Sequence, residues 1–291
     1  MIRLGFIFWM IVQTHLSSAQ ADSTERPINK KRLTFAAGAT GVAFTGSMIA
    51  LDRVWYRNFD RQPFQFFNDA AEWKQMDKFG HIYSAFQIAY AGGRVLQWCD
   101  VPLNKATIWA SVASFAMISS IEYFDGRSAA YGASLSDVAA NAMGSLLYAG
   151  QIARWKEVRI YPKFSFQRSG LAPLRPEVLG NGLSEEWLKD YNGQTYWLSL
   201  DADKFFAFPD WLNICVGIGA QNMLYARDEQ NLAVGRTPYR QFYIGVDLDL
   251  TFVRSRSKVV NTLLYIANMI RLPAPAFELS KNGVIFKPFL F

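Results

Sequence analysis

The sequence predicts an α+β chain: an N-terminal four-helix membrane-associated bundle followed by a small antiparallel β-rich region with one or two helices. Three observations carry this. Long apolar stretches recur between residues 33 and 156, with polar breaks between them. Beyond Trp155 the period changes to two, most cleanly in 242–252, where Phe242, Ile244, Val246 and Leu248 alternate with Tyr243, Gly245, Asp247 and Asp249. Hydrophobic residues make up 51% of the 291 and charged ones 19%, which is more apolar than an average soluble domain.

Residues 1–21 read as a secretory signal peptide. Arg3 precedes the apolar run 4–12, and Ser17-Ser18-Ala19-Gln20-Ala21 offers cleavage after Ala19 or Ala21. An uncleaved anchor is the rival reading. No cysteine ends the apolar run, so no lipid-attachment site is expected there. Removing this segment takes away Arg3 and no acid, so the formal charge falls from +6 to +5; it also takes His15 and leaves His81 as the one histidine. A modest basic excess suits anionic lipid. No nucleic-acid module and no basic stripe with interleaved aromatics is present.

Residues 22–32 form a polar, basic, flexible lead-in. Residues 33–51 are an almost unbroken apolar run close to the ~20 residues of a bilayer span. Gly38, Gly41 and Gly46 would allow another helix to pack close; a buried central helix is the alternative. Asp69-Ala70-Ala71-Glu72 has the form of a capping box that would start a short helix. The second long helix is expected over 76–98. Asn104 is placed to cap a third that runs to Tyr123, and Ser134 a fourth over 135–155. The third and fourth apolar stretches, about 16 residues each, are short against ~20 for a span, so partial entry into lipid is expected. Basic residues flank the set on both sides, Lys30-Lys31-Arg32 before and Arg154, Lys156 and Arg159 after, which conflicts with a simple positive-inside topology. The helical domain thus spans 33–156, and the β-rich region 157–291.

In that region strands are expected over 158–166, 196–200, 212–220, 242–252 and 284–291, and helices over 184–191 and 257–270, the latter stopped by Pro273 and Pro275. The ending at Phe291 resembles the last strand of an outer-membrane barrel. About five strands fall short of the ~8 a barrel needs, and Pro288 opposes a regular ladder. Cys99 and Cys215 are read as two separate buried thiols rather than a bridge.

Ionisable groups inside apolar helices must pair, bind an ion or meet water. Asp77 and His81 are four apart on one helix face, with Ser84 one turn on; Asp137 and Asn141 repeat that spacing; Glu122 and Asp125 end the third helix. Together they imply one shared polar site. Asp77, His81, Glu122, Asp125 and Asp137 are the candidate catalytic residues, and Lys78, Arg127, Ser134 and Asn141 the network around them. A carboxylate four residues from an imidazole can orient it or supply a second metal ligand. Each piece also has a structural reading: a capping box at Ser134–Asp137, a helix-start acid at Asp77, a turn at Asp125-Gly126. The donors suit Mg, Mn or Zn, but no motif specifies a metal or any other cofactor, and no Gly-x-Ser-x-Gly elbow marks a serine hydrolase.

Asp77-Lys78-x-x-His81, Glu122-x-x-Asp125 and Ser136-Asp137-x-x-x-Asn141-x-x-Gly144 resemble the YfiM-like family of predicted periplasmic lipoproteins, a domain of unknown function, over roughly residues 70–152. The order is loosely similar to that of VanZ-like membrane proteins linked with glycopeptide resistance. The resemblance implies a cell-envelope protein, membrane-associated, with its C-terminal region in the periplasm. Membrane lipid is the expected partner, and an envelope protein a further one. It implies no activity. The two functional classes are a binding or structural protein and a hydrolase or transferase acting on a lipid or cell-wall precursor.

Overall fold

The computed structural model describes residues 27–56 and 59–290. The expected signal peptide, and the lead-in before Pro27, lie outside them. The fold is α+β, with eight α-helices and one six-stranded antiparallel sheet among the described residues. It divides into two compact units. A helical unit takes 27–68, 84–157 and 254–265; a sheet unit takes 69–83, 158–253 and 266–290. By this grouping the start of the second long helix goes with the sheet, and 254–265 goes with the helices.

In the helical unit, α1 (Lys30–Leu51) is capped by Asn29, whose side chain accepts from the Arg32 N–H. It is the one described helix long and apolar enough to cross a membrane, so a bundle of four membrane-crossing helices is not shown. Only 11% of its most apolar window is buried, which overturns the central-helix reading. A Cβ added at Gly38, Gly41 or Gly46 would meet nothing within 4 Å, so these glycines seat no other helix among the described residues. Near its start, Leu33 and Ala36 pack with Cys99, Val101 and Ala106.

The remaining long helices are α2 (Met76–Trp98), α3 (Leu103–Gly126) and α4 (Leu135–Trp155). Ser114 on α3 donates to the Ala85 carbonyl of α2, and a ring cluster of Phe86, Tyr90, Tyr148 and Tyr265 fills the interior. Pro102, not Asn104, stands at the N-cap of α3. Ser134 caps α4 as expected.

In the sheet unit the strands β1 (Ile160–Phe166), β2 (Gln194–Leu200), β3 (Leu212–Gln221), β4 (Tyr239–Leu248), β5 (Ala274–Ser280) and β6 (Gly283–Leu290) pair in chain order, each antiparallel to the next. Short helices α5 (Pro176–Leu179), α6 (Leu183–Lys189) and α7 (Asp228–Ala233) lie between strands, and α8 (Lys258–Ala267) precedes β5. The sheet is curled. Leu290 at the end of β6 packs with Trp197 of β2 and Cys215 of β3, and the backbone of 269–271 bonds the outer edge of β1. Six strands replace the expected five, because β5 forms across Pro275. A register shift between Ala274 and Ala276 opposes 287–290, so neither Pro275 nor Pro288 has to donate to the ladder.

The buried face of this sheet carries the polar side chains, around an apolar cluster of Trp197, Cys215, Tyr243, Ala276 and Leu290. Lys163, Ser199, Asn213, Gln241, Asp247 and Glu278 are buried, while Leu198, Val216, Phe242, Ile244, Phe277, Leu279 and Phe286 are exposed. Lys163 and Asp247, both fully buried, form an ion pair at 2.6 Å; Ser199 and Asn268 supply further hydrogen bonds. Arg271 lies 4.0 Å from the Trp197 ring centroid and donates to the carbonyls of Leu290, Val246 and Ala274. Gly217 is required here, since a Cβ would stand 2.5 Å from the Trp197 ring. Cys99 and Cys215 are both free and buried, each in its own unit.

Candidate functional site

The expected capping box at Asp69–Glu72 does not form. Trp73, Lys74 and Gln75 take left-handed backbone angles, with φ of 47°, 53° and 61°, in a short turn that leads into α2. Such angles cost energy in residues other than glycine and are held by surrounding contacts. Here the Trp73 N–H donates to the Ala226 carbonyl at 2.7 Å, and Glu72 pairs with Arg227. The turn frees Asp69 from capping. Its carboxylate instead meets the Lys78 ammonium at 2.7 Å, and Asp77 meets the same ammonium at 2.8 Å.

Lys78 is thus buried between two carboxylates and pairs with both. Burial pushes the Asp77 carboxyl above the usual carboxylate range. Lys78 pulls it down, Asp69 pushes it up, and the His81 imidazole, one turn along α2, pulls it down; burial wins. The second Asp77 oxygen is buried and finds no hydrogen-bond partner among the described residues.

In the helical unit the polar residues form a relay of caps. Glu122, buried on α3, accepts the Ser134 N–H at 2.8 Å. Ser134 in turn accepts the Asp137 N–H at 3.1 Å, and its hydroxyl lies 2.8 Å from that of Ser136. Asp137 sits in the first turn of α4, where a negative charge favours the helix macrodipole. Asn141, fully buried, donates to the Ser119 hydroxyl at 3.3 Å. Asp125 accepts from the Tyr56 hydroxyl at 2.8 Å, and burial, reinforced by Asp125, pushes the Tyr56 phenol far above its ordinary value.

The structure therefore joins Asp77 with Lys78, and Glu122 with Ser134 and Asp137. It does not join Arg127 to the acids. Its guanidinium is exposed over the Tyr123 ring at 6.0 Å and makes no ion pair among the described residues. Tyr56, Asp69 and Ser119 are the partners that reading the sequence missed. Asp69 was hidden by its capping-box context, and Tyr56 and Ser119 by having no motif of their own.

Residues 65–149 match a family model described as "Predicted periplasmic lipoprotein (DUF2279)". No curated protein and no solved structure matches the chain. The matched segment contains every polar residue just described except Tyr56 and Arg227. The match is similarity over one segment. It supports a place in the cell envelope and carries no activity.

Proposed function

We propose that the chain is a membrane-associated cell-envelope protein with a binding or structural role, in which Asp77, Lys78, His81, Glu122, Asp137 and Asn141 hold the fold. The observation that carries this is how these groups are engaged. Lys78 neutralises Asp69 and Asp77, and Glu122 and Ser134 satisfy free N–H groups at the start of α4. Membrane lipid is the proposed partner, supported by the exposed apolar surface of α1, and an envelope protein is a second. The motif order supports a YfiM-like label for the matched segment; the VanZ-like likeness adds only a membrane setting.

The test is the thermal midpoint of the full chain in detergent with His81→Gln and with Glu122→Gln. Weakening the buried Glu122 carboxylate, which accepts the Ser134 N–H, costs about 1–3 kcal/mol, or a fall of roughly 2–10 °C for units of this size, and a fall is expected for His81→Gln too. An unchanged or raised midpoint in both variants would remove the structural reading.

The second reading is a hydrolase or transferase acting on a lipid or cell-wall precursor. His81 is its general base or metal ligand, oriented by Asp77, and Glu122, Asp125 and Asp137 bind a metal or share a proton. Its support is the upward-shifted Asp77 carboxyl at the start of α2, since perturbed carboxyls gather at reactive sites. On this reading Mg, Mn or Zn raises the thermal midpoint of the wild type and fails to raise that of Asp137→Asn. No rise in the wild type with any of the three ions would count against it.

A further inference from the structure

The sheet is inverted relative to a water-soluble one, and the inversion is continuous. Paired residues run across five strands as Leu198, Val216, Ile244, Phe277 and Phe286. The next row is Ile218, Phe242, Leu279 and Val284. In β2 the second row ends on Tyr196, half-buried against Phe79 and Tyr83; the other members of both rows carry no polar side chain and most are exposed, Val284 at 69%. Directly behind them lies the buried polar face with the Lys163–Asp247 pair and Arg271. Water would favour the opposite arrangement: burying these charges is costly, and leaving such rows wet forgoes the main stabilising term of a sheet. Isolated exposed apolar residues are ordinary, but a patch spanning five strands marks a surface meant to be covered.

The edges of the patch indicate what covers it. At the end carrying the β3–β4 and β5–β6 turns, Arg236, Arg240 and Lys281 make no ion pair among the described residues, and Lys281 lies 4.4 Å from the Tyr239 ring centroid. At the other end Trp211, Phe205 and Phe206 are exposed, with Arg159 over the Phe205 ring at 5.4 Å. Apolar rows bounded by aromatic rings and unneutralised cations complement a layer of acyl chains bounded by phosphate headgroups. Strands of seven to ten residues approach the ~9–11 of membrane-embedded strands.

We propose that the apolar face of β2–β6 lies against the acyl chains of a phospholipid bilayer, with Arg236, Arg240 and Lys281 at the phosphate level. This surface belongs to the sheet unit alone and does not depend on the role of the polar set. It places in lipid a region that alternation alone would leave in water.

The test uses the full chain reconstituted in vesicles of phosphatidylethanolamine and phosphatidylglycerol. Single cysteines replace Ile244, Phe286 or Lys281, each carrying a bimane label; Cys99 and Cys215 are buried, and unsubstituted protein sets the background. Bromine on the acyl chains is expected to quench the labels of Ile244→Cys and Phe286→Cys several-fold more strongly than that of Lys281→Cys. Quenching of the first two by aqueous iodide instead would overturn the proposal and leave the face in water. Protection from both quenchers would overturn it in favour of a protein cover, a second copy or another chain. Should Ile244→Cys not fold, Val284→Cys reads the same face.

Discussion

Asp77 shows how the setting of a single residue governs its charge. Its carboxyl is raised because burial outweighs the attraction of Lys78. A folded-state value above the unfolded one means that the group contributes stability below the ordinary carboxylate value of about 4, and that this contribution is lost as pH rises through the folded value. Asp77→Asn removes the titration while Lys78 keeps Asp69. The wild type is therefore expected to lose stability relative to Asp77→Asn as pH rises from about 4 toward neutrality, read as denaturant midpoints at several pH values. A difference that stays constant with pH would mean that Asp77 does not titrate in that window. The residue itself was legible as a candidate, since an acid inside an apolar helix calls for a partner. Asp69, which shares Lys78 with it, was not, because three left-handed residues separate them and local spacing does not encode such a turn.

At the scale of elements, helix bounds were legible where capping chemistry is local. Ser134 stands just before α4, and Met76–Trp98 is bounded by polar breaks. β5 was missed because Pro275 reads as a strand breaker, and only its place at a register shift makes it tolerable. Alternation in β4 was legible too, but alternation is symmetric: it separates two faces without saying which one is inside. The structure places the polar face inside, around Lys163 and Asp247. Removing one member of a buried pair leaves a bare charge and costs about 3–5 kcal/mol, whereas replacing both by apolar groups of similar size is often neutral. Lys163→Met is thus expected to lower stability by about that amount, and Lys163→Met with Asp247→Leu to recover most of it. A double variant as unstable as the sum of its parts would mean that the Ser199, Asn213 and Asn268 bonds, rather than the charges, organise this interior.

For the whole molecule, the family match and the apolar surfaces divide the chain. The match covers 65–149, while α1 ends at Leu51 before it and the sheet follows it from Ile160. The polar set therefore belongs to the matched segment, and both candidate surfaces for lipid lie outside it, one in each unit. If each suffices for attachment, neither alone is indispensable. A charged side chain at the lipid midplane costs about 2–4 kcal/mol, so two or three such substitutions cancel one surface without reaching the other. Phe35→Lys, Val42→Lys and Ile49→Lys together alter the exposed side of α1; Ile244→Glu with Phe286→Glu alters the sheet. Membranes carrying each set would be washed at alkaline pH. Either set alone is expected to leave the chain in the pellet, and both together to release it as a soluble, monodisperse protein. Release by the α1 set alone would make that helix the sole attachment and reduce the apolar rows of the sheet to a surface for protein. Release by the sheet set alone would assign attachment to the sheet and leave α1 without a membrane role.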